Sequence, residues 1–249
     1  MNFPERCVCC GADTFHRTSV LWPELVEAWN LQSHEVEYID LQQGWHCTRC
    51  SSNLRSMALA SAMLRVLGAA EPLIAFLQTD EARRLRVLEI NEAGTLTQFL
   101  TALPHHILVR YPEAEIHRLP FPVGSFDLVC HSDTLEHVDD PIGALRECRR
   151  VLAPGGALAY TIPIVVGRLS RNREGLPASY HGTRGQEADD LLVRTEYGAD
   201  AWREPIEAGF SECRIVALAP PAAHALVALK EPIAPTGLPV ETTGIVDRD

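Results

Sequence analysis

Five of the eight cysteines lie within the first fifty residues, as Cys7, Cys9, Cys10, Cys47 and Cys50. Cys7-x-x-Cys10 and Cys47-x-x-Cys50 form two paired-thiolate knuckles. In each, the two-residue spacer lets both sulfurs of a turn face one ion. Four thiolates close the coordination sphere of a tetrahedral zinc ion, so the expected role is structural. Cys9 competes in sequence with its neighbours, and His46, beside Cys47, is a reserve ligand; the alternative is a set of free thiols without metal. Cys130, Cys148 and Cys213 stand singly in apolar stretches and read as small buried hydrophobes. Further along, His181 adjoins Tyr180 in a stretch rich in Gly, Arg, Ser and Pro. A neutral imidazole there is a candidate general base, since histidine titrates near ~6.5; the alternative is a loop-bracing histidine. Arg168, Arg171 and Arg173 share that stretch and would either hold an anion through forked hydrogen bonds or form a solvated face.

The elements that must position these groups follow from periodicity. Thirty-six residues separate the knuckles, more than a compact zinc ribbon needs. A helix over 21–31, with Trp22, Leu25, Val26 and Trp29 on one face and Pro23 in its first turn, absorbs part of the excess. A longer helix runs from Asn53, with Leu59, Met63, Val66 and Leu67 on one face and Gly68 as its stop. Strands are expected at 86–90, 106–109, 126–131, 157–162, 213–218 and 223–229. Helices are expected at 96–103, 141–152 (capped by Asp140, with Pro141 at the first position) and 194–208. Residues 164–194 read as a lid or loop. Alternating strands and helices imply a mostly parallel sheet covered on both faces, whose ligands bind beyond the carboxyl ends of the strands. The expected organisation is a zinc-binding four-cysteine segment at 1–53, a helical bridge at 54–80, an α/β domain at 81–230 and a disordered tail at 231–249.

Of the 249 residues, 46% are hydrophobic, enough for a sizeable core, and the formal charge of −11 disfavours a nucleic-acid partner. The N-terminus has no secretory h-region, and no apolar run reaches the ~18 residues that span a bilayer. The expected location is cytoplasmic, where thiols stay reduced.

The stretch LPFPVGSFDLVCHSDTLEHVDDPIGALRECRRVLAPGGALAYTIP from Leu119 resembles class I S-adenosylmethionine-dependent methyltransferases. It combines the Leu-Pro-Phe-Pro segment, the FDLV strand, the Leu-Glu-His triplet and the Arg-Val-Leu-x-Pro-Gly-Gly turn in the family's order. The resemblance extends over about 85–230. The knuckles, followed by Asn53-Leu54-Arg55-Ser56, together with Tyr180-His181-Gly182 and Glu196-Tyr197-Gly198-Ala199-Asp200, resemble a bacterial subgroup with an N-terminal zinc-binding segment.

The resemblance implies a Rossmann-like, doubly wound α/β fold and an S-adenosylmethionine site in the loop after the first strand. There Glu89 matches the family's acidic residue. Asn91 and Ala93 stand where glycines are usual, Glu92 adds a charge, and Gly94 remains, shifted by one. The second strand ends without the family's acid, so Glu113 is the expected ribose partner and Tyr111 the adenine-packing ring; Glu115 or His117 would meet the adenine amino group. Ser132 and Asp133 follow the fourth strand, where Asp133 would contact the cofactor or the acceptor, or else cap a turn. Glu136 and His137 read as a buried structural pair. The implied reaction is methyl transfer to a small-molecule acceptor in specialised metabolism. The alternatives are a binding or scaffold protein that has lost methyl transfer, or a methyltransferase acting on protein or RNA. Oligomeric state is not legible.

Overall fold

The structure is a computed structural model, and it describes residues 2–180 and 188–232. His181 and residues 233–249 of the expected tail fall outside them. In chain order the elements are β1 (Phe15–Arg17), α1 (Pro23–Ala28), α2 (Ser33–Gly44), β2 (Trp45–Cys47), α3 (Leu54–Val66), α4 (Leu73–Phe76), α5 (Asp80–Arg84), β3 (Val87–Ile90), α6 (Thr97–Leu100), β4 (His106–Val109), β5 (Phe126–Ser132), α7 (Pro141–Val151), β6 (Leu152–Thr161), β7 (Ile164–Val165), β8 (Arg171–Asn172), β9 (Thr195–Gly198), α8 (Arg203–Glu207), β10 (Glu212–Leu218) and β11 (Ala223–Leu229).

Six strands form the main sheet in the order β10-β11-β6-β5-β3-β4. Its four strands β6, β5, β3 and β4 run parallel, and β11 and β10 close it antiparallel. Side chains alternate across it. Val87, Leu128, Cys130 and Ala159 face one core layer, while Leu88, Val129, Leu158 and Tyr160 face the other. α3 covers the first face, and α7 with α8 covers the second. This is the doubly wound arrangement expected from the sequence. No helix joins β4 to β5; turns alone bridge them.

α3 is specified at both ends. The Asn53 side chain accepts from the Ser56 amide (2.9 Å). At its other end Gly68 adopts φ +66°, and the Ala69 amide reaches back to the Leu64 carbonyl (2.8 Å), the closure that a left-handed glycine permits. Residues 54–64 are all buried, so this helix is a core layer of the α/β domain as well as the link from the cysteine segment.

Two expectations are corrected. Residues 194–208 are not one helix. Thr195–Gly198 is a fully buried strand lying between β7 and β8, and only Arg203–Glu207 is α-helical. Thr195 and Tyr197 favour a pleated, packed surface over a helix. Residues 164–180 are also less loop-like than expected, since β7 and β8 join that small sheet. α2 was not anticipated. It buries Glu35, Asp40 and Gln42 beside Tyr38 and Leu41, so it has no apolar stripe to read.

The Tyr197 hydroxyl donates to Glu204 (2.8 Å), whose burial pushes its pKa from 4.5 to about 7. A carboxyl raised in the folded state holds its proton where the unfolded chain has lost it. Stability is therefore lost as pH rises from about 4.5 to about 7, and the penalty stays constant above that range. Glu204→Gln should stabilise the protein by roughly 1–3 kcal/mol at pH 8 and by almost nothing at pH 4. Denaturant melts at the two pH values check this, and equal shifts at both would contradict it.

Candidate active site and cysteine centre

The two knuckles are matched turns. The Gly11 amide donates to the Cys7 carbonyl (2.7 Å), and the Ser51 amide to the Cys47 carbonyl (3.0 Å). Gly11 and Ser51 both take positive φ, at +77° and +59°, and β1 pairs with β2 beside them. The sulfurs of Cys7, Cys10, Cys47 and Cys50 all lie within 4.8 Å of one another, with Cys7–Cys50 and Cys10–Cys47 at 3.6 Å. A tetrahedral zinc with ~2.3 Å bonds needs sulfurs about 3.8 Å apart, so the set fits the ion. Cys9 is buried outside the group; its carbonyl accepts from the Ile74 amide (2.9 Å), as that of Val8 does from Leu73 (2.8 Å), which fixes the start of α4. His46 is turned to Thr18 (2.9 Å) and packed beside His16, so it is not the reserve ligand expected.

Beyond the carboxyl ends of β3, β4 and β5 opens a cavity of about 640 Å³. Asn91, Tyr111, Glu115, His117, Ser132 and Asp133 line it. Asn91 adopts φ +52°, a conformation asparagine tolerates, and its side-chain amide bridges the Tyr111 backbone (3.0 Å) and the Thr134 hydroxyl (3.3 Å). Tyr111 stands half exposed at the rim, and the His117 ring donates to the Asp140 carbonyl (3.0 Å). Glu92 also reaches the cavity, but its charge is met by Arg110.

Four residues assigned to this site from sequence lie off its wall. Glu89 is fully buried, accepting from the Ala93 amide (2.7 Å) and facing His106 (2.7 Å), so it braces the loop from below. Ala93 is buried with it and does not border the cavity. Gly94, at φ +58°, faces α3, where an added Cβ would stand 2.7 Å from the Ser56 Oγ. Glu113 is exposed to solvent and takes no part in the wall. The loop is also tied to the second knuckle: Thr95 Oγ1 donates to the Ser52 hydroxyl (2.9 Å), and the Gln98 side-chain amide to the Cys50 carbonyl (3.1 Å).

Asp133 is ion-paired with Arg55 of α3, and Arg55 donates in turn to Gln42 of α2 (2.8 Å). His137 stands beside it. Its Nδ1 donates to the Leu192 carbonyl (3.0 Å), which in the neutral ring puts the lone pair on Nε2, and the Glu136 carboxylate lies 3.7 Å from Nε2. His137 was read from sequence as half of a structural pair; its place on a cavity wall was signalled only by its nearness to Asp133. One strand residue nearby is inert: His131 is buried beside Tyr160 with its pKa lowered by burial to about 4, so it stays neutral.

The three loop arginines are all engaged in ion pairs, with Arg171 still half exposed to solvent. Arg168 pairs with Glu35 (2.6 Å) and donates to the Trp29 and Asn30 carbonyls. That contact holds the Glu35 carboxyl below its usual range. Arg171 and Arg173 both pair with Glu196, and Arg173 lies over the Trp29 ring at 5.5 Å. Arg168 and Arg173 thus dock the 164–180 segment onto the α1 and α2 region, while Arg171 ties β8 to β9.

Residues 67–160 match the family model described as a methyltransferase domain. The matched stretch, somewhat over a third of the chain, is similar to methyltransferase domains. The sheet built around that stretch is mostly parallel with an antiparallel closing pair. The domain is 34% identical over 101 residues to a probable S-adenosylmethionine-dependent methyltransferase of Mycolicibacterium smegmatis, covering 39% of this chain and 36% of that one. It is 49% identical over 103 residues to an uncharacterized 37.1 kDa protein in transposon TN4556 of Streptomyces fradiae, covering 41% and 29%. The chain thus spans about a third of the length of these curated relatives. Among solved structures it is similar to the trans-methyltransferase CalH in complex with SAH, with a TM-score of 0.41 and 18% identity over 70% of this chain and 59% of that one. No helix among the described residues is long and apolar enough to cross a membrane.

Proposed function

We propose that the protein transfers a methyl group from S-adenosylmethionine to a small-molecule acceptor, in a cytoplasmic setting, with a structural zinc ion held by Cys7, Cys10, Cys47 and Cys50. The observation that carries this reading is the cavity beyond β3, β4 and β5, most of whose lining lies in the stretch that matches the methyltransferase family model. Its volume falls in the ~300–1,000 Å³ range of small-molecule sites.

When bound, the cofactor would supply a sulfonium methyl group for an acceptor lone pair, with the carbon–sulfur bonding pair left on sulfur. The chain's own residues do the rest. Asn91 and Tyr111 shape the cradle at the end of β3 and β4. Ser132, tied to Thr161 (2.7 Å), fixes the end of β5. Nε2 of His137 takes the proton released by an acceptor hydroxyl or amine, and Glu136 stabilises the imidazolium formed. The Arg55–Asp133 pair presents a charge-balanced wall, so Asp133 positions the acceptor and leaves the proton to His137.

Calorimetric titration with S-adenosylmethionine and S-adenosylhomocysteine tests the reading. The parent should bind both. Tyr111→Ala should weaken binding about tenfold through loss of a ring contact at the rim. Absence of binding at millimolar cofactor would favour a scaffold protein instead. Ala93→Leu would overpack the loop's underside, where Ala93 is fully buried, and is the poorer test.

A further inference from the structure

A second cavity, of about 630 Å³, lies between the cysteine segment and the methyltransferase domain. Trp22, Leu25 and Trp29 of the α1 region and Ile39 of α2 form one side; Ile164 and Val165 of β7 form the other. Its polar groups are not scattered. Gln42, Arg55 and Asp133 make one hydrogen-bonded chain at the inner end, and Arg55 is the one lysine or arginine on the wall among the described residues. Asp133, His137 and Leu191 belong to the walls of both cavities, so the two spaces meet there.

Resting on the methyl-transfer reading, we propose that this second cavity is the acceptor site and that it takes a largely apolar, ring-bearing molecule carrying a hydroxyl or amine. Three features specify that class. The two tryptophans and the aliphatic side chains of Leu25, Ile39, Ile164 and Val165 reward apolar rings and leave phosphates or sugars unpaired. Arg55, the one cation of the described lining, is already matched by Asp133, so an anionic acceptor gains nothing from it. The polar end coincides with the wall shared with the cofactor cavity, which places the acceptor's nucleophilic atom toward the methyl group, as in-line transfer at ~3–3.5 Å requires. The cysteine segment thereby supplies most of the outer wall. The arginine contacts that dock residues 164–180 onto α1 and α2 hold the two walls together.

The test uses the full, zinc-loaded chain, titrated separately with 1-naphthol and with S-adenosylmethionine. The parent should bind both. Leu25→Arg and Trp22→Ala should each weaken naphthol binding at least tenfold while leaving cofactor affinity within twofold, and Trp22→Phe should restore most of the loss. Unchanged zinc content and circular dichroism establish that the variants fold. Naphthol affinity unaffected by both substitutions overturns the location. Cofactor binding without naphthol binding overturns the acceptor class and leaves methyl transfer standing. Failure of the parent to bind the cofactor overturns the methyl-transfer reading, and this proposal with it. Displacement of naphthol by a peptide of residues 233–249 would overturn the acceptor role and identify the cavity as a seat for the chain's own tail.

Discussion

Cys47→Ser should abolish zinc binding and destabilise far more of the protein than the first fifty residues. The parent, prepared without chelator, should carry about one zinc per chain, and the variant close to none. Structural zinc contributes apparent free energies of roughly 10–16 kcal/mol in small zinc modules. Whole domains are stable by only ~5–15 kcal/mol. Even a fraction of the metal term is therefore decisive. The effect spreads because the cysteines share one core with α3 and the sheet, and because Cys50 and Ser52 hold the loop that carries Asn91. Hydrogen exchange should show lost protection in β1, β2 and α4 and in residues 91–98. A zinc-free parent, or a variant as stable as the parent, would refute this.

The second large effect concerns the proton. His137→Gln should lower turnover ~100-fold or more, the usual loss when a general base is removed, with S-adenosylmethionine affinity nearly unchanged. Turnover is read as S-adenosylhomocysteine release with a naphthol acceptor. The sequence pointed instead to His181, and the same assay on His181→Ala compares the two. A large loss with His181→Ala and none with His137→Gln would transfer the role to the loop histidine. Because glutamine keeps a donor for the Leu192 carbonyl, a purely structural His137 would tolerate the change.

Much of the framework was legible because strand periodicity and buried runs coincide. His106–Val109 and Ala223–Leu229 fall where expected, and α3 and α7 carry their caps in the sequence as Asn53 and Asp140. The thiolate cluster was legible because its members are pairs at short spacing. What was not legible depends on partners distant in sequence. Arg168 looks like an anion site until Glu35 and the Trp29 carbonyl are found beside it. Glu89 looks like a cofactor contact until its oxygens prove to be taken by Ala93, Thr97 and His106. His137 looks structural until two cavities meet at its ring. α2 and β9 were missed for a related reason: one buries polar side chains, and the other is a strand too short to show alternation.

The bonds from Thr95 to Ser52 and from Gln98 to Cys50 have a thermodynamic corollary. They join the loop beneath the proposed cofactor site to the turn that presents two of the thiolates. Two ligands acting on one connected element are coupled reciprocally: the factor by which metal tightens cofactor is the factor by which cofactor tightens metal. S-adenosylmethionine would then slow the extraction of zinc by a chelator, and a metal-starved cell would lose affinity for the cofactor before it lost the fold of the sheet. In such a protein the thiolate cluster would be an affinity setting for the distant site as well as a staple.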